Sequence, residues 1–589
     1  MASPHSTTAT APVAAEAVAA TAATTTVKPK LHGRAFYESI GSPKFVVAPM
    51  VDQSEFAWRM LTRSFMTPAE NSKLLAYTPM FHARLFEEVD KYRQTHFQAI
   101  RPLPPAKKGE SDPEPESKPS ADTTPWLDGN PSIDRPLFVQ FCANEPDHLL
   151  AAAQHAAPYC DAVDLNLGCP QGIARKGHYG AFLQEDQDLI YRLVNTLHLN
   201  LSIPVTAKIR ILENKEQTLA YAKNVLSAGA SIITVHGRRR EQKGHLTGVA
   251  DWSYIRYLRE NLPAETVIFA NGNILQPGDV EKCLEATGAD AVMSAEGNLS
   301  DPSIFAALPD PGTETREYWR GKDDKGGYRV DAVFRRYMDI TYQYVLQTAP
   351  PARRPLFVVG DDESWLQPAR AEEEQEEEGP QKKKRKIKAD GPKQKPKQCC
   401  DPNLLAMRPH LFHLLRHFVA KNVDIRDALA KARPGDVPAF EHVLQLVEKR
   451  VAEGLIEYEK TGGKSLEEHK LEIKSAPVEA QTNGNADGAE LGYDPESSVA
   501  TVKACKRAWW VAQPIVRPLP AEAMAKGALS LSKKDKKKME QEQAELEKTK
   551  SQGGGIAQEL PIPDGTNGIK EPVMDENQKG LVDDALVCG

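Results

Sequence analysis

Eight short apolar segments, separated by helical patterns, constrain the fold of this chain more than any other feature. Each contains about four to seven residues, many of them β-branched, which is typical of buried parallel strands. The segments are 45–50, 74–80, 137–141, 162–165, 204–210, 231–236, 266–271 and 289–294. Helical patterns between the later segments lie at 218–228, 254–261 and 279–286.

The spacing of these segments predicts an α/β fold of the (β/α)8 TIM barrel type. Outside one long insertion, their starts recur about every 23 to 42 residues, as in right-handed strand–helix repeats. A doubly wound sheet would need fewer units and a reversal of strand order. We therefore expect the barrel over residues 35–310. Residues 101–133, rich in proline and charged residues, should form a solvated, disordered insertion.

The remaining chain divides by composition. Length alone would allow about four domains, but 44 prolines, 26% charged residues and 7% aromatic residues favour one large core and much unfolded polypeptide. An all-α domain is predicted by helical patterns at 328–347, 403–419, 424–432 and 439–453. The expected divisions are a disordered tail 1–34, helical regions 311–365 and 400–460, a charged low-complexity insertion 366–399, a linker 461–500, a docking segment 501–527 around Trp509 and Trp510, and a disordered charged tail 528–589.

Cysteine usage and targeting signals restrict the cellular context. The eight cysteines include no CxxC pair, so neither a zinc ribbon nor a disulfide framework is indicated, and a reducing compartment fits. No apolar run reaches the ~18 residues of a membrane helix, and residues 1–30 lack a secretory or mitochondrial signal. The basic run from Lys382 to Lys388 resembles a nuclear localisation signal, with an RNA-attracting patch as an equal alternative. We expect the cytoplasm, the nucleus or both, and no membrane partner.

A cysteine follows the fourth predicted strand on a sharp turn. The segment 162–165 runs into Asn166-Leu167-Gly168-Cys169-Pro170, where proline ends the strand because it has no N–H. A basic, glycine-spaced loop follows at 172–180. The turn therefore presents the Cys169 thiol at the carboxyl end of a strand, where parallel barrels place their chemistry. The competing interpretation is a buried structural cysteine.

Polar or glycine-bearing turns end most of the other predicted strands. One such residue would be an ordinary rim residue, but seven at the same end of a barrel indicate a binding site. Barrels bind phosphate on the turns after strands seven and eight, while Lys208 and Gln140 would offer a cation and an amide to a planar ring. We therefore predict a site for a planar, phosphate-bearing cofactor and no metal site. The candidate residues are Pro49, Met50, Gln140, Asn166, Lys208, His236, Arg238, Asn271, Gly272, Asn273, Ala295, Glu296 and Gly297.

Nine motifs occur along the barrel in a fixed order. They are APMVDQSE at 48–55, YTPM at 77–80, DLNLGCPQ at 164–171, KGHYGAFL at 176–183, AKIR at 207–210, TVHGR at 234–238, GVADW at 248–252, NGNI at 271–274 and MSAEG at 293–297. With them the chain resembles the tRNA-dihydrouridine synthase family over about residues 36–310, most closely its eukaryotic branch acting on D-loop uridines 16 and 17. Many relatives carry Gly-Arg-Gly where this chain has Ala295-Glu296-Gly297, so backbone amides are expected to hold the cofactor phosphate there.

The resemblance implies a flavin-dependent reduction of uridine to 5,6-dihydrouridine in the D-loop of tRNA. FMN would lie across the barrel mouth on the candidate residues and be reduced by NADPH or NADH. The flavin would pass a hydride to C6 of the uridine, and Cys169 would protonate C5, because an unperturbed thiol is mostly protonated at neutral pH. The uridine would first be extruded into the pocket. We expect a monomer that binds tRNA.

The same resemblance assigns tRNA binding to the helical domain. Residues 408–416, rich in basic and aromatic side chains, are the candidate contact, and an ordinary bundle helix is the alternative. Two other functions stay open, an FMN-dependent barrel reductase of a small pyrimidine or enone and a catalytically silent tRNA-binding protein. The basic helical domain disfavours the first. The combination of Cys169, Lys208 and His236 disfavours the second.

Overall fold

The computed structural model describes residues 30–101, 124–321, 325–367, 399–467 and 498–525. Several predictions therefore concern segments that lie wholly or mostly outside the described residues. These are the tails 1–34 and 528–589, the proline-rich part of the insertion 101–133, the charged segment 366–399 with the basic run 382–388, and the linker 461–500. No helix within the described ranges is long and apolar enough to cross a bilayer.

Parallel strands form a closed barrel at the centre of the molecule. The strands are β1 Phe45–Val47, β2 Leu74–Tyr77, β3 Phe81–His82, β4 Leu137–Cys142, β5 Ala162–Leu167, β6 Val205–Arg210, β7 Ile232–His236, β8 Val267–Asn271 and β9 Ala291–Ser294. Strand β1 pairs with both β2 and β9, and a pairing of β2 with β4 closes the ring, while the short β3 follows β2 and pairs with the end of β4. Eight strands thus complete the ring, which confirms the predicted (β/α)8 fold.

Helices surround the barrel and connect its strands. They are α1 Gly33–Ser39, α2 Phe56–Ser64, α3 Pro68–Asn71, α4 Ala83–Glu88, α5 Asp90–His96, α6 Pro146–Ala156, α7 Gly172–Lys176, α8 Gln187–Asn200, α9 Lys215–Ser227, α10 Trp252–Asn261, α11 Asp279–Thr287 and α12 Glu296–Ser300. Helix α8 shows why they form. The Asp186 side chain caps its first turn by accepting the Leu189 N–H at 3.0 Å, and one face buries leucine, isoleucine and valine against the barrel.

Helix α1 covers the amino-terminal end of the barrel. The Tyr37 hydroxyl donates to the backbone carbonyls of Pro43 and Asp290 at 3.0 and 3.1 Å, and the Phe36 and Phe138 rings stack with centroids 5.9 Å apart. Because this end is closed, ligands enter from the carboxyl end of the strands. The prediction of a disordered tail to residue 34 is wrong for residues 30–34, since α1 begins at Gly33.

Residues 124–133 of the predicted insertion are folded, which corrects the expectation of a solvated segment. Leu127 and Asp128 are buried, and the N–H groups of Trp126 and Leu127 donate to the carbonyls of Ala99 and Gln98 at 2.9 and 3.0 Å. The prediction failed because the average composition of 101–133 masks the short apolar pair at 126–127, which packs as part of the protein.

A helical region follows the barrel. It contains the two-stranded sheet β10 Tyr318–Trp319 and β11 Gly327–Tyr328, then α13 Val330–Ile340 with a π-helical turn at Thr341–Val345, α14 Pro402–Leu414, α15 Arg416–Val419, α16 Val423–Lys431, α17 Val437–Lys460 and α18 Lys464–Glu467. Helix α2 of the barrel packs against α13 and α14. Buried apolar side chains consequently form one continuous cluster from the barrel into α17.

The described C-terminal segment, residues 498–525, docks on this helical region. It contains α19 Ser498–Cys505 and α20 Pro520–Ala525, with the tryptophan pair between them. The Trp510 ring is buried 5.3 Å from Trp319 and 5.9 Å from Tyr458, centroid to centroid. Gly454 of α17 makes room for the pair, because a Cβ there would lie 2.6 Å from the Trp509 ring. The core of the helical region is therefore completed from a distant part of the chain.

Candidate active site

The Cys169 turn at the end of β5 is held by one asparagine side chain. The Asn166 Oδ1 accepts the backbone N–H groups of Gly168 at 3.1 Å and Cys169 at 2.9 Å. Both Asn166 and Cys169 are buried, Cys169 with 1% of its surface exposed. The thiol therefore lies inside the barrel mouth on a turn of fixed geometry, and a reacting group must enter the mouth to meet it.

A chain of buried hydrogen bonds continues from Asn166 toward the barrel centre. The Asn166 Nδ2 donates to Gln140 Oε1 at 2.8 Å, and Gln140 Nε2 donates to the Asp164 carboxylate at 2.8 Å. The Thr206 hydroxyl donates to the other Asp164 oxygen at 2.6 Å. Burial raises the pKa of Asp164 to about 6, against the hydrogen bonds from Thr206 and Gln140 that favour the anion. These bonds orient both amides, so Gln140 fixes Asn166, which fixes the Cys169 turn.

The loop behind Cys169 packs onto it from the other side. The Ala181 N–H donates to the Cys169 carbonyl at 3.0 Å, and Arg210 Nε donates to the Gly168 carbonyl at 2.7 Å. Gly180 has a φ of +64°, and a Cβ there would lie 2.8 Å from the Cys169 carbonyl oxygen. Only glycine fits this close approach. Arg210 and the loop therefore brace the turn that presents the thiol.

Basic side chains line the β6–β7 side of the mouth. The strand register sets Lys208 beside Asn166 and Thr234, and sets Arg210 beside His236. Burial lowers the pKa of His236 well below its usual value, and three neighbouring cations lower it further. These cations are Arg210, Lys208 and Arg238. His236 is consequently neutral at physiological pH, with one ring nitrogen that can donate and one that can accept.

The turn after β8 is tied to the end of β7. Arg238 Nη2 donates to Asn273 Oδ1 at 2.8 Å, and Arg238 Nη1 lies 3.1 Å from His236 Nε2. Asn271 Nδ2 donates to the Met293 carbonyl at 3.0 Å. Gly272 has a φ of +117°, so the turn brings its backbone close to the His236 ring without a side chain between them.

Two buried polar atoms at this mouth have no hydrogen-bond partner among the described residues. They are His236 Nδ1 and Asn271 Oδ1. A buried polar atom without a partner costs free energy unless a ligand or water satisfies it. Their clustering on the adjacent strands β7 and β8 indicates a place for a ligand that both donates and accepts hydrogen bonds.

The candidates after β1 and β9 are less directly connected to this network. Pro49 and Met50 are buried, and Met50 exchanges hydrogen bonds with Ser54 and Gln53 rather than with the other candidates. Ala295 and Gly297 are buried beside the β9 end. The Glu296 carboxylate is engaged by Arg517 of the C-terminal segment. The structure thus brings together the residues on β4 to β8 and leaves Glu296 on the rim.

One predicted RNA contact does not hold in full. Within 408–416, His410 is completely buried, stacks on Trp58 with centroids 3.9 Å apart, and bonds the Glu55 carboxylate at 3.0 Å. It therefore joins α14 to α2 and cannot contact an exposed base. Arg416 is exposed at the end of the same stretch. The sequence interpretation treated the stretch as one surface, whereas a helix turns its residues to opposite sides.

Three functional residues were missed as site residues. Asp164 and Arg210 each lie two residues from a predicted site residue on the same strand, so the two-residue periodicity of strands could have identified them. Arg517 lies more than 200 positions from its partner, and no local signal points to it.

A family model and several curated relatives agree on the family. A family model described as dihydrouridine synthase (Dus) matches residues 46–349. The chain is 52% identical over 311 residues to an NAD(P)(+) tRNA-dihydrouridine(16/17) synthase of Saccharomyces cerevisiae, covering 53% of this chain and 63% of that protein. It is 38% identical over 498 residues to the protein of that name from Schizosaccharomyces pombe, covering 84% and 94%. A similarly named mouse protein, with the suffix "-like", is 45% identical over 278 residues, covering 47% and 51%.

The chain spans its relatives to different extents. The chain spans less than two thirds of the S. cerevisiae protein and about half of the mouse protein, but nearly all of the S. pombe protein. The family model covers more than half of this chain and includes every candidate residue at the barrel mouth. The chain belongs to the dihydrouridine synthase family.

Proposed function

We propose that this protein is a tRNA-dihydrouridine synthase that reduces uridine to 5,6-dihydrouridine at D-loop positions of the 16/17 type, with NADPH or NADH as reductant and FMN as cofactor. The observation that carries the proposal is the Cys169 turn, a buried thiol held by Asn166 at a cation-lined barrel mouth. The names of the S. cerevisiae and S. pombe relatives support the same substrate and reductant.

The residues at the mouth fit FMN. The unpartnered atoms of His236 and Asn271 suit a group that both donates and accepts hydrogen bonds. The glycine-bearing turn at Gly272 lies where barrels hold phosphate, and Lys208 offers a cation to an electron-rich ring. When bound, FMN supplies the hydride for the C5–C6 double bond. The protein binds and orients the reactants and supplies the proton.

Cys169 is the proposed proton donor to C5 of the uridine. Hydride addition at C6 leaves negative charge at C5 and O4, and a proton delivered to C5 by a positioned acid completes the reduction of the C5–C6 bond. Asn166 holds the backbone on which the thiol stands, and Gln140 and Asp164 hold Asn166. Because Cys169 is almost fully buried, the target uridine must leave its stack and enter the mouth, which costs a few kcal/mol.

The proposal is tested by the visible spectrum and the product of the full-length protein. Purified protein should carry a bound yellow flavin that NADPH bleaches in the absence of air. Incubation with an unmodified tRNA transcript should yield dihydrouridine, and transcripts with cytidine at positions 16 and 17 should yield none. Dihydrouridine formed from free uridine but not from tRNA would instead support a small-molecule reductase. Tight tRNA binding without any flavin would support a catalytically silent binding protein.

The basic run Lys382 to Lys388 carries a separate proposal about location. Seven residues with six basic side chains resemble a nuclear import signal, and tRNA processing gives nuclear entry a use. Deleting 381–388 from a fluorescent fusion should lower the nuclear signal. An unchanged distribution, together with weaker tRNA binding, would identify the run as an RNA-attracting patch.

A further inference from the structure

The C-terminal segment, residues 498–525, crosses the rim of the barrel where β7, β8 and β9 end. Arg507 Nη2 donates to Gln276 Oε1, after β8, at 3.1 Å. Pro520 lies beside Gly248, and α20 packs on the turn at 244–246 after β7. The segment is anchored on the helical region, where the Val330 N–H donates to the Trp510 carbonyl at 2.9 Å. It therefore spans from the helical core to the three turns of the mouth.

Arg517 reaches the turn after β9 from this segment. Its Nε and Nη2 both donate to the carboxylate of Glu296, with Nε 3.2 Å from Oε2. The two side chains are each about one third exposed, 33% for Arg517 and 35% for Glu296. The pair consequently lies at the open edge of the mouth, beside Gly297 and close to the β8 turn, since Gly297 approaches the Ile274 carbonyl.

The negative charge of Glu296 must be neutralised if this edge of the mouth is to hold an anionic group. Glu296 alone would put a negative charge at the end of β9, and a phosphate monoester carries about −1.5 to −2 charges near neutral pH. Two such anions repel each other in a partly desolvated site. Arg517 cancels the Glu296 charge by donating from Nε and Nη2 to its carboxylate, which removes this repulsion.

We propose that Arg517, delivered by the C-terminal segment, neutralises Glu296 and thereby lets this edge of the mouth hold the phosphate of FMN. The inference rests on the proposed function, because FMN is the phosphate-bearing ligand of that site. A phosphate diester of the RNA has the same chemistry, but the cofactor is favoured. Arg517 meets Glu296 directly before the buried Gly297, on one of the turns where a barrel binds a cofactor phosphate. The C-terminal segment is thereby part of the cofactor site.

The test compares FMN with riboflavin, which has the same ring system but no phosphate. Full-length protein is freed of flavin, and the affinity for each flavin is measured by fluorescence titration. Arg517→Ala should weaken FMN binding roughly 10- to 100-fold, because Glu296 would then face the phosphate without its cation, and change riboflavin binding less than about twofold. Arg517→Lys should retain part of the FMN affinity. Riboflavin binding also reports that each variant is folded.

Arg507→Ala is the matched control, because Arg507 lies in the same segment and donates to a neutral amide. It should leave the ratio of FMN to riboflavin affinity unchanged. An equal loss of both flavins in Arg517→Ala would show that the segment merely packs, and unchanged affinities for both would equally overturn the inference. Unchanged flavin binding with weaker, less salt-dependent tRNA binding would assign Arg517 to the RNA and overturn it too. Wild-type protein that binds neither flavin would instead refute the proposed function.

Discussion

Two regions of the molecule bury arginine in opposite ways. At the seam, which consists of α2 and the segments packed on it (124–134, α13 and α14), Arg59 bonds two carboxylates. Its Nε lies 3.0 Å from Asp134 Oδ1 and its Nη2 lies 2.7 Å from Asp128 Oδ1. At the barrel mouth, Arg210 and Arg238 donate to backbone carbonyls and to the Asn273 amide. Those bonds hold the mouth arginines in place through neutral acceptors.

The pKa values show the consequence of this difference. At the seam, burial disfavours the charged guanidinium of Arg59, but Asp134 and Asp128 raise its pKa above the usual value, so the charge is secured by its partners. At the mouth, burial and three cations lower the pKa of His236 well below its usual value. The charge of Arg59 is therefore neutralised within the seam, as expected for a structural contact. The mouth gathers three cations around His236, which suits an anionic ligand.

The largest expected effect concerns chemistry at the mouth. Cys169→Ala should slow the uridine-reducing step roughly 10²- to 10⁴-fold, the usual contribution of a positioned general acid. Flavin binding and reduction by NADPH should persist, because the thiol is not among the cations and amides that would hold the cofactor. Stopped-flow mixing of pre-reduced protein with unmodified tRNA, followed by flavin reoxidation, measures the step. Cys169→Ser, a much weaker acid in the same geometry, should resemble Cys169→Ala. Wild-type reoxidation by Cys169→Ala would mean that another residue is the acid.

A substitution in the seam should change the stability of the protein rather than its chemistry. Arg59→Met leaves Asp128 and Asp134 buried without their cation, which should lower the free energy of unfolding by roughly 3–5 kcal/mol. Urea unfolding monitored by tryptophan fluorescence measures this. Arg84→Ala is the control, because Arg84 and its partner Glu88 are both exposed. This substitution should lower the free energy of unfolding by less than about 1 kcal/mol. Similar losses in the two variants would remove the distinction between the regions.

The sequence predicted the mouth better than the seam, and the reason is local geometry. Strands and their carboxyl ends are encoded by short apolar runs followed by polar turns, so Asn166, Lys208 and His236 could be assigned to one end of a barrel. The seam joins residues far apart in the chain. Glu55 meets His410 across 355 positions, and Asp128 sits in a segment whose average composition indicated solvent exposure.

The hydrogen-bond chain through Asp164 was only partly predictable from the sequence. Gln140 and Asp164 are register partners on adjacent strands, and strand alternation puts Asp164 and Asn166 on the same side. The contact could therefore be anticipated once the barrel order was assumed. What the sequence could not give is the direction of each bond, because both ends of an amide are compatible with the same spacing.

Asp164 offers a test in which the stability of a mouth variant, relative to wild type, should change with pH. Burial raises its pKa from 3.8 to about 6, so the folded state binds the proton more tightly than the unfolded state. Its contribution to stability is complete below about pH 4 and is lost as the pH rises through about 6. Asp164→Asn cannot titrate, so its stability relative to wild type should increase across this window, by at most roughly 3 kcal/mol at pH 7. Urea unfolding at a series of pH values measures the difference, and a difference that does not change with pH would refute the assignment.

The smallest expected effect comes from alanine substitutions at two glycines, of which only one would bring a Cβ close to residues of the mouth. Gly272 and Gly278 have φ values of +117° and +88°, so alanine is strained at both positions. A Cβ at Gly272 would also lie 2.5 Å from the Ala250 Cβ and 3.3 Å from the His236 ring, whereas a Cβ at Gly278 meets no atom within 4 Å. Gly272→Ala should therefore weaken FMN binding about tenfold, through displacement of His236 and the turn, while Gly278→Ala changes it less than about twofold. Fluorescence titration with FMN measures both. An equal loss of FMN affinity in the two variants would mean that backbone strain alone explains the effect. The β8 turn would then have no specific role in binding the cofactor.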